Sequence, residues 1–175
     1  MRPTTLFPAV CSAALLATPA FAHHPLDGMP METFVHGILS GFGHPILGVD
    51  HLFFIIAMGF AAGLSNIGWS GIAAYVASML SGCLLVVLGG SLPAQEVLIF
   101  LSLIVIGSVV ASQRDVPNLL LTATFGGFGL FHGAAYGGSI AGQEGSASLV
   151  VLVGYMLGLG VMQIGIASGA GLLAT

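Results

Sequence analysis

Residues 96–113 read EVLIFLSLIVIGSVVASQ, an apolar run whose one charged side chain, Glu96, stands at its edge. A helix over such a run approaches the ~20 apolar residues needed to cross the hydrocarbon core of a bilayer. That core holds no water to satisfy peptide groups, so the chain crosses it as a helix, which pairs every N–H and C=O within itself. Further apolar segments at about 46–64, 69–89, 117–137 and 147–173 repeat the pattern. Short breaks separate them at Ser65-Asn66, Gly89 to Pro93, Gln113 to Pro117 and Gly138 to Gly145. A stretch at 33–43 is too short to span and runs out in Gly41, Gly43 and Pro45, so it reads as an interfacial or re-entrant half-helix leading into the first span. The expected fold is all-α, a polytopic transmembrane helix bundle of about five spans plus this half-helix.

Composition agrees. Apolar residues make up 57% of the 175 and charged ones 5%, against about 25% charged in a soluble domain. The length leaves room for one membrane domain and no separate soluble one. Lysine is absent, and Arg2 and Arg114 are the only basic residues. That excludes a polybasic surface for nucleic acid and leaves membrane lipid as a partner through apolar faces. Cys11 and Cys83 form no CxxC pair, and Cys83 reads as a small hydrophobe in an apolar run. The 27 glycines include the GxxxG pairs Gly129/Gly133, Gly154/Gly158 and Gly165/Gly169, which predict close packing of helix backbones.

The N-terminus reads as a secretory signal peptide, with Arg2 as its positive end, Leu6 to Ala17 as its apolar stretch and Ala20-Phe21-Ala22 as an A-x-A cleavage site. Cleavage after Ala22 divides the chain into a signal, 1–22, and a transmembrane helical domain, 23–175, whose mature N-terminus lies outside. Five spans then place the 112–116 loop, with Arg114, inside, as the positive-inside rule requires. Asp27, Glu32, Glu96 and Glu144 fall at the outer face. The expectation is a multi-pass protein of the bacterial inner membrane.

The chemistry concentrates in GHPILGVDHLFFIIAMG, residues 43–59. His44, Asp50 and His51 stand at the outer end of the expected first span, and an ionisable side chain at a helix centre costs about 2.5–3.5 kcal/mol on insertion scales. His44 and His51 are seven residues apart and share a face of a regular helix, but at 1.5 Å per residue they stand ~10 Å apart along it. A straight helix therefore cannot bring both to one ion. A break at Gly43 and Pro45 would fold His44 back toward Asp50 and His51; otherwise the two histidines are successive stations on a path. A second cluster, FHGAAYGG at 131–138, places His132 toward the same face. Imidazole with carboxylate suits nickel, cobalt, zinc or copper. Packing of polar groups between helices is the competing role for all four residues. His36, in the half-helix, is a further candidate ligand or an interfacial group. A mature α-amine followed by His23 and His24, with Asp27 close by, is a nitrogen-rich chelator able to capture an ion outside.

His44-x5-Asp50-His51 together with Phe131-His132-Gly133 resembles the HupE/UreJ family of nickel/cobalt permeases, and the contexts HHPLDG and GHPILGVDH are similar to it too. The resemblance covers most of the mature chain. It implies uptake of Ni2+ or Co2+ as a transported ion, with no prosthetic group and no enzymatic activity, and with His44, Asp50, His51 and His132 as binding or permeation residues. The family pattern carries a Glu downstream of FHG, where Tyr136, Gly137, Gly138 and Ser139 follow here. Relatives commonly continue into another helix, and assembly as a homo-oligomer stays open. No GxxxxGK[ST] motif is present, so the expected flux runs down the electrochemical gradient or depends on a partner. Histidine ligands bind when neutral, so uptake is expected to weaken as pH falls through the imidazole range near ~6.5. The competing readings are a non-transporting metal-binding membrane subunit and a membrane-embedded metal-dependent hydrolase.

Overall fold

The computed structural model describes residues 31–65, 67–112, 114–142 and 148–175. The signal peptide assigned to 1–22 and the residues His23, His24, Asp27 and Glu144 lie outside the described residues.

Among the described residues the chain is all helical: α1 Phe34–Leu47, α2 Val49–Leu64, α3 Gly68–Val87, α4 Gln95–Ser112, α5 Asn118–Ala141 and α6 Leu149–Ala174. Their ends follow local chemistry. The Thr33 hydroxyl caps α1 by accepting from the His36 amide at 3.1 Å. The Ser148 side chain does the same for α6 with the Val151 amide. Past the end of α3, Gly89 adopts φ +91, and the amides of Gly89 and Gly90 bond to the carbonyls of Val86 and Leu85. That paired closure needs the left-handed backbone glycine supplies.

Helices α3, α4 and α6 are each long and apolar enough to cross a membrane, and α1 with α2 counts as a fourth if the bent pair is one unit. Helix α5 has 24 residues, about 36 Å at 1.5 Å per residue, with its apolar density diluted by glycines, Thr122, Thr124 and His132. Outward faces carry Trp69, Val97, Leu119, Val161 and Leu173, all exposed. Lipid tails accept such a surface and water does not. This is a membrane protein.

The expected break at Gly43 and Pro45 falls elsewhere. Helix α1 continues through both residues to Leu47, with Pro45 buried inside it, and the chain turns at Gly48, whose φ of −79 and ψ of 97 are extended. The Gly48 amide still closes on the His44 carbonyl at 3.0 Å, so the helix is hydrogen-bonded up to its last residue. Beyond Gly48, α2 departs at 81°.

Backbone contact sets the packing. On α6, the Val151 backbone meets Gly37, Tyr155 and Leu159 meet Gly41, Ala167 meets Gly59 and Gly171 meets Gly63. Helices α1 and α2 therefore run in succession along α6, in the same direction as α6. In the same way α3 and α5 run parallel, with Tyr75 against Gly129, Met79 against Gly133 and Cys83 against Gly137. Helix α4 closes the bundle against α2 and α5. Two of the three expected glycine pairs thus work as read; Gly165 and Gly169 face outward and approach nothing.

Candidate functional site

The bend at Gly48 brings the first motif into the bundle beside α5 and α6. His44, in the last turn of α1, places Nδ1 3.0 Å from the Tyr155 hydroxyl of α6, and that hydroxyl also donates to the Tyr136 carbonyl at 3.2 Å. A hydroxyl has one proton, so with it on the carbonyl the Tyr155 oxygen accepts from His44 Nδ1–H. His51, in the first turn of α2, lies 2.8 Å from His132 of α5, Nδ1 to Nδ1. The Tyr136 ring sits between the two halves, 6.0 Å from the His44 ring and 4.6 Å from that of His51, centroid to centroid. Its own hydroxyl is buried without a hydrogen-bond partner.

A chain of bonds fixes which nitrogens carry protons. Ser102 of α4 is fully buried and donates its single hydroxyl proton to the Ile99 carbonyl at 2.6 Å. Its oxygen, 3.0 Å from His132 Nε2, must then accept from Nε2–H. That leaves His132 Nδ1 bare, so the bond to His51 is donated by His51 Nδ1–H. In the neutral form of His51 the lone pair then resides on Nε2, available to a ligand. This proton placement follows from the pattern of partners rather than from visible hydrogens.

Apolar walls hold the pair. The Phe54 ring lies 4.4 Å from that of His132, and Tyr75 presents an edge at 6.0 Å. His132 is fully buried and His51 half-buried. Gly133, beside His132, lies against the Met79 backbone. That close approach is what seats His132 against the facing helices.

The remaining expected residues lie apart. Asp50 is exposed, and its Oδ1 accepts from the His51 amide at 2.9 Å, an acidic group in the first turn of α2 where the helix dipole favours it. His36 sits near the start of α1 with Nδ1 accepting from the Glu32 amide at 3.3 Å, away from the other three. Among the described residues, no three His, Cys, Asp or Glu side chains gather closely enough to hold one ion. The site in this conformation is a histidine pair, with His44 one aromatic ring away.

Sequence reasoning passed over Ser102, Tyr155, Tyr75 and Gln163. Gln163 carries the only amide side chain in α6, is fully buried, and accepts from the Tyr75 hydroxyl at 2.7 Å. A lone amide within such an apolar run is a readable signal; the serine and tyrosines blend into ordinary span composition.

The sequence pattern of the HupE / UreJ protein family matches residues 11–175. Protein HupE of Rhizobium leguminosarum bv. viciae is 32% identical over 162 residues, which cover 89% of this chain and 80% of that protein. No solved structure matches the chain.

Proposed function

The chain belongs to the HupE/UreJ family, and from that footing we propose that it is a permease importing Ni2+ or Co2+ across the bacterial inner membrane. The observation that carries this reading is the pairing of His51 and His132, 81 residues apart in sequence and 2.8 Å apart in space, at the bend of a broken helix. Broken helices whose ends meet deep in the membrane recur at the ion sites of transporters. Here the carbonyl end of α1 points toward the site and favours a cation. The opposing positive end of α2 carries Asp50 in its first turn.

Five crossings fit the packing. From Val151 to Gly171, the stretch of α6 that α1 and α2 follow, is about 30 Å at 1.5 Å per residue, close to the thickness of the hydrocarbon core. The bent pair then counts as one broken first span rather than a half-helix followed by a full one. Alternation from an outer N-terminus sends α1–α2, α4 and α6 inward and α3 and α5 outward, which matches the parallel contacts of α1–α2 with α6 and of α3 with α5. It also leaves Arg114 inside.

In this reading His23 and His24 capture the ion outside, His36 stands at the entrance, and His44 receives it. Binding then opens the His51–His132 hydrogen bond, so that the imidazoles take the ion in place of one another and Asp50 turns in to supply charge. Zinc and copper suit the same donors, so preference among metals rests on geometry and supply.

The test is metal accumulation by elemental analysis in cells making wild type, His51→Ala, His132→Ala or Asp50→Asn, across nickel, cobalt and zinc. Accumulation of nickel or cobalt by wild type, abolished by either histidine substitution at equal expression, is the expected result. Metal bound by purified protein with no flux would instead identify a non-transporting subunit, and metal-dependent turnover of an amide or peptide would identify a hydrolase.

A further inference from the structure

Beyond the histidine pair the bundle keeps a second polar contact that the reading above does not use. The Tyr75 ring packs edge-on against His132, and its hydroxyl reaches across to Gln163 of α6 at 2.7 Å. Gln163 is 0% exposed, and its Nε2 has no hydrogen-bond partner. It lies eight residues along α6 from Tyr155, the partner of His44, about 12 Å further inward in the orientation proposed above. Five residues further along α6, Ser168 Oγ is also buried without a partner. Further along the same direction, the end of α2 and the α4–α5 connection border a half-open cavity of about 540 Å³, where Ser65, Arg114, Asp115 and Asn118 stand among apolar side chains such as Leu64 and Val110. A membrane protein core satisfies its polar groups internally unless they face a water or ion path. In the proposed orientation the unpartnered atoms of Gln163 and Ser168 lie on the inward side of Tyr155, whereas that of Tyr136 lies on the outer side of His132.

We propose that Gln163, pivoting on Tyr75, is the station that takes the ion from His51 and His132 and passes it to the inner cavity. The proposal rests on the permease reading. Its chemistry lies in the two-sided hydrogen bonding of both groups. With Tyr75 donating to Oε1, the amide presents Nε2 to the path and offers a cation nothing. A half-turn of the amide lets Nε2–H donate to the Tyr75 oxygen and turns Oε1 toward the path. One hydrogen bond replaces another, and a carbonyl oxygen becomes available as a neutral ligand. A neutral oxygen holds a divalent ion more weakly than two imidazoles, which is what a release step requires.

The test compares wild type, Gln163→Met and Gln163→Glu in two assays: nickel and cobalt accumulation by cells, and equilibrium dialysis of Ni2+ against the purified full chain. Methionine keeps length and apolar packing but has no oxygen. Glutamate presents oxygen in either orientation. The expected result is that Gln163→Met binds nickel within twofold of wild type yet accumulates at least tenfold less, while Gln163→Glu recovers part of the accumulation. Wild-type accumulation by Gln163→Met, beside a wild type that transports, overturns this inference and leaves the permease reading intact. Equal loss of binding, accumulation and thermal stability in both variants also overturns it, since Gln163 would then only hold the bundle together. A wild type that neither binds nor accumulates nickel or cobalt removes the permease reading, and this station with it.

Discussion

Replacing Ser102 by alanine removes the oxygen that accepts from His132 Nε2–H, and the geometry sets the size of the effect. Ser102 and His132 are both fully buried, so water cannot take the vacated place. A buried donor left without its partner costs about 1–3 kcal/mol. His132 can escape that cost by moving its proton to Nδ1, but Nδ1 then faces the Nδ1–H of His51 2.8 Å away, two donors meeting head-on. Either outcome disorders the pair, and outer partners of ligating histidines are typically worth 10–100-fold in metal affinity. Ser102→Ala is therefore expected to weaken Ni2+ binding by at least tenfold in equilibrium dialysis of purified protein, with Ser102→Thr close to wild type because it keeps the hydroxyl. Nitrogen-15 shifts of labelled imidazoles report the same event directly: His132 is expected as the Nε2–H form in wild type and to change in Ser102→Ala. If Ser102→Ala bound nickel within twofold of wild type with an unchanged His132 signal, the hydrogen-bond chain would have no part in preparing the site.

Tyr155→Phe deletes the hydroxyl shared by His44 and the Tyr136 carbonyl; a loss of roughly 1–2 kcal/mol is expected in detergent unfolding, together with weaker uptake. Gly133→Ala drives a methyl group into the Met79 backbone, whereas Gly165→Ala meets open space. The first is expected to lower stability by about 1–3 kcal/mol and the second to leave the melting temperature unchanged. A cysteine placed at Asp115, in a Cys83→Ala background, is expected to react with a membrane-impermeant maleimide only after the inner face is opened; labelling of intact spheroplasts would reverse the proposed orientation.

The segments expected at 69–89 and 96–113 became α3 and α4 within a residue or two, because a long apolar run bounded by glycine, proline or charge has one stable conformation in lipid. At the start of the bundle, packing overrides local propensity. Gly43 and Pro45 are helix breakers by propensity, yet α1 passes through both, with Pro45 and the neighbouring Gly41 packed out of solvent. Local preference of a few kcal/mol yields to packing along α6, and the chain turns at Gly48, where a backbone bond to His44 can still be kept. Gly165 and Gly169 illustrate the same limit. The GxxxG spacing says that a helix face is smooth, but not that another helix lies on it.

The sequence alone determined that this is an all-helical membrane protein, where its few imidazoles stand along the chain, and to which family it is similar. Those properties follow from composition and short-range spacing, which the chain carries before it folds. Tertiary structure decided that His51 meets His132 while Asp50 faces out, that His44 is held by Tyr155, that Ser102 accepts from His132, and that Tyr75 bonds Gln163. Such pairings depend on the bend angle at Gly48 and on how closely glycine backbones let helices approach. Both are set by contacts between segments many residues apart, which no local pattern encodes.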